Sequence, residues 1–423
     1  MSSKLYPPFL HRIKAVQKKL HGGTALISAA PEVIRTADQH FPYRQDSDFL
    51  YLTGCSEPER ALFICDQTNT ILLLGKRVSA HKKLWDGSGE TLKQRAQIIG
   101  INYMEVDNLL LGALEICKGA SQYFYQARDT TVSFKVFERL SHASSGEKKP
   151  ASFSAIESLL HPMRLIKDTY ELSAIQTAAD ITMHAIVGSL DTMQPGTSEL
   201  VVAKTVEYWF GIMEATAGFG TIAAAGKNAA TLHYHKLQSS LKQGEPFLLD
   251  CGAEYQGYNG DITRVFPIGG QFLGAAADVY DIVLAAQQKA ITKVKDGVKI
   301  KTVYDAAARV LIEGLKDLKI LKGSTQTILE QKLHRPYFPH GIGHSLGIDV
   351  HDVGGHRGNT DAVLKAGMVF TIEPGLYFAK AFKKVPAMGV RIEDDILVTK
   401  QGSVNLTEAL PKERKQIESI MSN

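Results

Sequence analysis

The chain has 423 residues, 44% hydrophobic and 22% charged, with a formal net charge of +4 when histidine is counted neutral. That length predicts two or three domains and a large buried core, and basic and acidic residues interspersed in near-equal number, with no basic block, exclude nucleic acid as a partner. Cys55, Cys65, Cys117 and Cys251 share no close spacing, which excludes a zinc knuckle or a disulfide scaffold, and no apolar run nears the roughly 20 residues that span a bilayer.

The first residues carry no apolar leader, so a soluble, cytoplasmic protein with no membrane partner is expected. Residues 9–21 predict a short helix and Thr24–Ser28 a strand. The runs Phe49–Leu52, Ala61–Cys65 and Thr70–Leu74 read as further strands. Helical patterns over 89–98 and 131–141 alternate with strands near 101–106 and 123–125, which makes the first third an α/β unit. Trp85 is expected to pack within it. The polar, breaker-rich stretch 144–152 predicts a junction, with a short helix over 152–160 leading on. The expected domains are 1–162 and 163–423.

Asp168-Thr-Tyr-Glu171 has the form of a capping box, and apolar residues at 172, 175, 179, 183, 186 and 190 keep helical spacing after it. A second helix is predicted over 198–216, then a Gly/Ala-rich segment over 217–230. Next comes Phe247-Leu-Leu-Asp-Cys-Gly252, an apolar run that drives into Asp250. A charge there costs several kcal/mol in an apolar interior unless it is compensated. A two-residue turn at Gln256-Gly257 would pair position 250 with 263 and set Asp261 diagonal to Asp250 on one face.

The order then repeats. Helices are predicted over 275–295 and 302–317, a Gly/His-rich stretch follows at 340–356, and Met368-Val-Phe-Thr-Ile-Glu373-Pro-Gly375 repeats the pattern of apolar run, acid, any residue, glycine. Glu393 follows Glu373 as Asp261 follows Asp250. Two half-domains related by an approximate two-fold, with their acids meeting in one cleft, are the predicted consequence.

His340-Gly-Ile-Gly-His344 lacks the glutamate of a zinc-protease helix and is too rich in glycine to be one. One imidazole can instead join four carboxylates. Asp250, Asp261, His344, Glu373 and Glu393 form an oxygen-rich set without thiolate, suited to manganese or a similar divalent ion. Four negative charges are too many for one small cation, and two metals bridged by carboxylates fit.

The order Asp, Asp, His, Glu, Glu within Leu-Leu-Asp-Cys-Gly, Gly-Asp-Ile-Thr-Arg, His-Gly-Ile-Gly-His-Ser-Leu-Gly, Ile-Glu-Pro-Gly-Leu-Tyr and Arg-Ile-Glu-Asp-Asp resembles the pita-bread metallopeptidases of family M24. With Tyr43-Arg-Gln-Asp-Ser-Asp-Phe-Leu-Tyr-Leu-Thr-Gly54, it is most similar to their Xaa-Pro aminopeptidase (aminopeptidase P) branch over nearly the whole chain. The resemblance implies an α/β N-terminal domain and an α+β pita-bread domain with a pseudo-two-fold repeat. It also implies two divalent ions, most suitably Mn2+, with Co2+ or Zn2+ as substitutes, and peptide substrates with proline second. A homodimer or tetramer is implied as well.

Carried over by residue, Asp250 would be a terminal ligand, Asp261 and Glu393 would bridge, and His344 and Glu373 would complete the second site. Glu373 would also take a proton from the attacking water. His233 would lie near the scissile bond, His340 and His351 would contact substrate and the oxyanion, and Arg391 would stand behind the site with Tyr377 nearby. Two positions depart from the family pattern: Lys236 replaces a frequent asparagine, and Gly218-Phe-Gly-Thr-Ile lacks a common tyrosine. Both bear on substrate preference.

Duller roles compete. A single Asp in a hairpin is more often a turn residue, and His233 or His351 alone would be read as structural. His235 is expected to do nothing, and Cys251 to face away from the site. The rival functions are an Xaa-Pro dipeptidase, a methionine aminopeptidase, a creatinase-like hydrolase and a metal-free binding scaffold. The intact ligand set counts against the last two, and the N-terminal domain is one that a methionine aminopeptidase would not need.

Overall fold

The computed structural model describes residues 8–87, 89–143, 149–354 and 361–422. The start of the chain, most of the junction stretch and the end of the Gly/His-rich segment lie outside these ranges. The chain divides into two compact units, Met1–Arg164 and Leu165–Asn423.

In the first unit, helix α1 (Phe9–Lys19) precedes β1 (Thr24–Ser28), a small hairpin of β2 (Ile34–Thr36) and β3 (Gln39–His40), and α2 (Ser47–Thr53). Then come β4 (Arg60–Cys65), β5 (Thr70–Lys76), α3 (Ala80–Asp86), α4 (Leu92–Ile99), β6 (Asn102–Val106) and α5 (Leu109–Cys117). The unit closes with β7 (Gln122–Tyr125), α6 (Val132–Ser141), β8 (Ser152–Ala155) and α7 (Glu157–Leu165). Six strands form one sheet in the order β6-β5-β4-β1-β7-β8. Only β4 runs antiparallel to its neighbours. Leu109, Ala113 and Cys117 of α5 and Val136 and Leu140 of α6 bury against Leu26, Ala61, Phe63, Leu74 and Tyr123 of the sheet.

Three expectations are corrected here. Phe49–Leu52 is helical, because the Asp46 carboxylate accepts the amides of Asp48 and Phe49 and caps α2, and this local satisfaction outweighs the β-propensity of the run. Residues 152–155 are a strand rather than the start of a helix, since they extend the sheet edge by pairing with β7. Trp85 does not pack inside the unit: α3 buries no residue, and Trp85 is 73% exposed, with its ring beside that of His81.

The second unit opens with α8 (Thr169–Gly188), which begins at the expected capping box of Asp168 and Glu171, and α9 (Glu199–Ile212). Short strands β9 (Thr216–Ala217) and β10 (Ile222–Ala225) lead to the first acidic hairpin: β11 (Pro246–Cys251), β12 (Ala253–Tyr255), β13 (Tyr258–Asn259) and β14 (Ile262–Pro267). Asp250 pairs with Thr263, as the two-residue turn predicts. Gln256 and Gly257 both have positive φ, 52° and 82°, the geometry that matches the twist of the flanking strands. Helices α10 (Ala275–Ile291), α11 (Ile300–Asp317) and α12 (Thr325–Glu330) follow. The second hairpin is β15 (Val369–Ile372), β16 (Gly375–Phe378), β17 (Met388–Arg391) and β18 (Asp394–Val398), with β19 (Ser403–Asn405) on its edge and α13 (Arg414–Met421) last.

Both hairpins kink where their acids lie. A Cβ on Gly252 would stand 1.9 Å from the carbonyl oxygen of Gly260, and one on Gly375 would stand 2.8 Å from that of Val390. This close approach of partner backbones explains the shared pattern of acid, any residue, glycine. The halves match further. β10 pairs with β11 so that Ile222 faces Asp250, while Ser345 bridges Phe370 and the amide of Glu373 donates to Ile342. Where the second half has His344, two residues after Ile342, the first has Ala224.

Candidate metal centre and active site

The two kinks bring the acids to one place. One ligand atom from each of Asp261, His344 and Glu393 lies within 4.8 Å of the others. His344 Nε2 stands 3.4 Å from Asp261, 3.7 Å from Glu373 and 4.0 Å from Glu393. Its Nδ1 is 3.2 Å from the carbonyl of Ser345, so Nδ1 carries the proton and Nε2 presents a lone pair to the acids. The amide of His344 donates to Thr371, which fixes the backbone below the ring.

Asp250 enters from β11 and receives Nη2 of Arg391 on one oxygen, while its buried Oδ1 has no partner. Arg391 spreads its fork over three groups: Asp250, the Tyr377 hydroxyl at 3.0 Å and the Thr263 hydroxyl at 3.1 Å. Thr263 in turn donates to Glu393 at 2.6 Å. His340 Nε2 accepts from Tyr377 at 2.8 Å, because its Nδ1 is held on the carbonyl of Gly341. Burial and the nearby Arg391 push His340 down to about 3, so the ring is neutral. The ring of His351 packs edge-on to that of His344 at 4.2 Å. His233 is exposed, with its ring 6.5 Å from that of His235.

Burial raises Asp261 and Glu393 well above the ordinary carboxylate range, and the neighbouring acids push the same way. Glu373 is raised by burial against the opposing pull of His344 and Arg391. One guanidinium does not neutralise four crowded carboxylates.

A family model described as Metallopeptidase family M24 matches residues 173–400, more than half of the chain. The chain belongs to this family. A second model, Aminopeptidase P, N-terminal domain, matches residues 9–125. The Xaa-Pro aminopeptidase of Escherichia coli is 34% identical, over 98% of this chain and 97% of that one. Among solved structures, proline aminopeptidase P II from Yersinia pestis superposes with a TM-score of 0.92 at 34% identity, covering 98% of this chain and 99% of the other. Escherichia coli aminopeptidase P with the inhibitor Pro-Leu gives 0.93 at 33%, with 99% of both chains covered.

The fold is therefore the expected one, an aminopeptidase P N-terminal domain followed by a pita-bread metallopeptidase domain, and an M24 metallopeptidase works with divalent metal ions. The residues here fit such ions. The donors are carboxylate oxygens and one imidazole nitrogen, the acids lack neutralising charge, and the orphaned Oδ1 of Asp250 needs a partner. Sequence reasoning missed Thr263 and Thr371. The signal for Thr263 was present, since it lies two residues from Asp261 on the same strand face.

Proposed function

We propose that this chain is a metallo-exopeptidase that hydrolyses the bond between an N-terminal residue and a following proline. Asp250, Asp261, His344, Glu373 and Glu393 would hold two divalent ions, with manganese suited to the oxygen-rich set. When bound, the ions supply an activated water and polarise the scissile carbonyl. What supports this reading is the meeting of Asp261, His344, Glu373 and Glu393 within about one ligand's reach, with Asp250 tied to the same arginine network.

The chain's own groups divide the remaining work. An X-Pro amide has no N–H, so the site must protonate a hindered ring nitrogen as it leaves. Glu373, close to both His340 and His344, takes the proton from the attacking water and delivers it to that nitrogen. His340 and His351 contact the substrate and stabilise the oxyanion, and His233 stands beside the scissile bond. Arg391 orients Asp250 and Tyr377. We place the enzyme in the cytoplasm, in keeping with four buried free cysteines, and expect a dimer or tetramer. No helix among the described residues is long and apolar enough to cross a membrane.

The test compares an X-Pro-Y tripeptide with an X-Pro dipeptide in manganese-replete buffer. Faster cleavage of the tripeptide is expected; exclusive cleavage of the dipeptide would make the enzyme a dipeptidase. Glu373→Gln should lower kcat by about a thousandfold, as the loss of a proton-transferring side chain does.

A further inference from the structure

His233 sits in residues 231–240, a stretch without helix or strand apart from a bridge at Ser240. An imidazole on irregular backbone keeps one position only if the chain is tied down on both sides of it. The tie is Glu199, the first residue of α9, which is wholly buried. Its Oε1 accepts from the amide of Ala225 and from Nδ2 of Asn228, both at 2.8 Å. Its Oε2 accepts from the Tyr234 hydroxyl and the amide of Ser239, both at 2.9 Å.

Two of these donors precede His233 and two follow it. None is charged, so a buried carboxylate is compensated entirely by hydrogen bonds, two on each oxygen. Asn228 also reaches the Tyr234 oxygen at 3.0 Å and the Ser239 hydroxyl at 2.9 Å, closing the network. Backbone bonds fasten the same two segments. Glu199 donates to Ser239 at 2.9 Å, Leu241 to Thr197 at 2.8 Å and Gly196 to Leu241 at 2.8 Å. Upstream, the turn 226–230 lies against β17, where Gly389 leaves room for the carbonyl of Ala229.

We propose that Glu199 is a positioning residue for the reaction, acting through Tyr234, the immediate neighbour of His233, to hold that imidazole at the site. The inference rests on the assignment of His233 to the scissile bond made above. A carboxylate in the first turn of a helix stabilises the helix in any case, and stability alone would lower the amount of folded enzyme without singling out His233.

A double-mutant cycle separates the two. Tyr234→Phe removes one hydroxyl and keeps the ring; Glu199→Gln keeps the shape and turns an NH2 toward donors. Each is made in the wild-type and His233→Ala backgrounds. For the manganese-loaded enzyme, kcat and KM on an X-Pro-Y tripeptide are measured together with Mn2+ affinity and the thermal midpoint. Tyr234→Phe should lower kcat about tenfold in the wild type, with KM and Mn2+ affinity within about twofold, and have less than about a twofold effect once His233 is gone. Equal losses in both backgrounds overturn the inference and leave His233 in its role. Weakened Mn2+ binding overturns it too, since the network would then serve the metal ligands. Near-full activity of His233→Ala removes both the role of His233 and the inference. Should Glu199→Gln not fold, the Tyr234→Phe cycle decides alone.

Discussion

Arg391 holds the proposed centre together through geometry that a point charge lacks. Its planar fork meets Asp250, Tyr377 and Thr263 at once, and Thr263 relays it to Glu393. Arg391→Lys keeps the charge and loses the fork, so Mn2+ affinity should fall by about tenfold to a hundredfold, as with other groups that orient ligands. Isothermal titration of the apoenzyme checks this, and unchanged affinity would remove Arg391 from the centre. A second residue-scale effect lies in the first unit. Burial, with Asp48 beside it, pushes Asp46 up to about 6. A carboxyl raised in the folded state stabilises that state at low pH, and the contribution is lost as pH rises through about 6. Two units correspond to about 3 kcal/mol. Amide exchange of Phe49 and Leu50, corrected for intrinsic rate, should therefore show more protection at pH 4.5 than at pH 7. Asp46→Asn, which keeps a capping oxygen, should flatten the difference.

At the scale of elements, the kinked hairpins were legible because acid spacing, turn residues and strand alternation all pointed one way. The 250–263 pairing, the capping box at Asp168 and the helix pairs were readable for the same reason. What escaped depended on partners distant in sequence. Phe49–Leu52 has the composition of a strand, and only the Asp46 cap makes it helical. Strand β10, Ile-Ala-Ala-Ala, has no alternation to announce it and exists because β11 offers an edge. Trp85 was misjudged because aromatic character predicts burial on average and says nothing of a helix that buries none of its residues. The close approach of the turn 226–230 to β17 gives an element-scale prediction. A methyl at position 389 would stand 1.9 Å from the carbonyl oxygen of Ala229. Gly389→Ala should cost about 1–3 kcal/mol, read by urea denaturation, and lower kcat by displacing His233.

For the molecule as a whole, the centre is a source of instability until it is filled. Asp261 and Glu393 are buried with Glu373 half-buried beside them, and their mutual repulsion is relieved either by protonation or by cations. Ligand linkage then predicts that chelation lowers Tm and that added Mn2+ restores it, with about 2.7 kcal/mol gained at a hundred times Kd. At about 2–4 °C per kcal/mol for a domain near this size, that is a shift of about 5–10 °C. A Tm indifferent to chelator and metal would mean that these carboxylates do not bind cations.

The stitching between the hairpins also sets the order in which the chain can mature. Arg264 of the first hairpin is wholly buried, and among the described residues its bonds beyond its own strand go to the second hairpin and to the segment after it: the carbonyls of Glu393, Leu410 and Pro411 and the carboxylate of Asp394. These lie 129 to 147 residues downstream. A ribosome therefore finishes the first hairpin long before anything exists to receive its guanidinium, and a product truncated before Glu393 leaves a cation stranded in an apolar interior. Termination before Glu393 should therefore yield a substrate for proteolysis rather than a peptidase with partial activity.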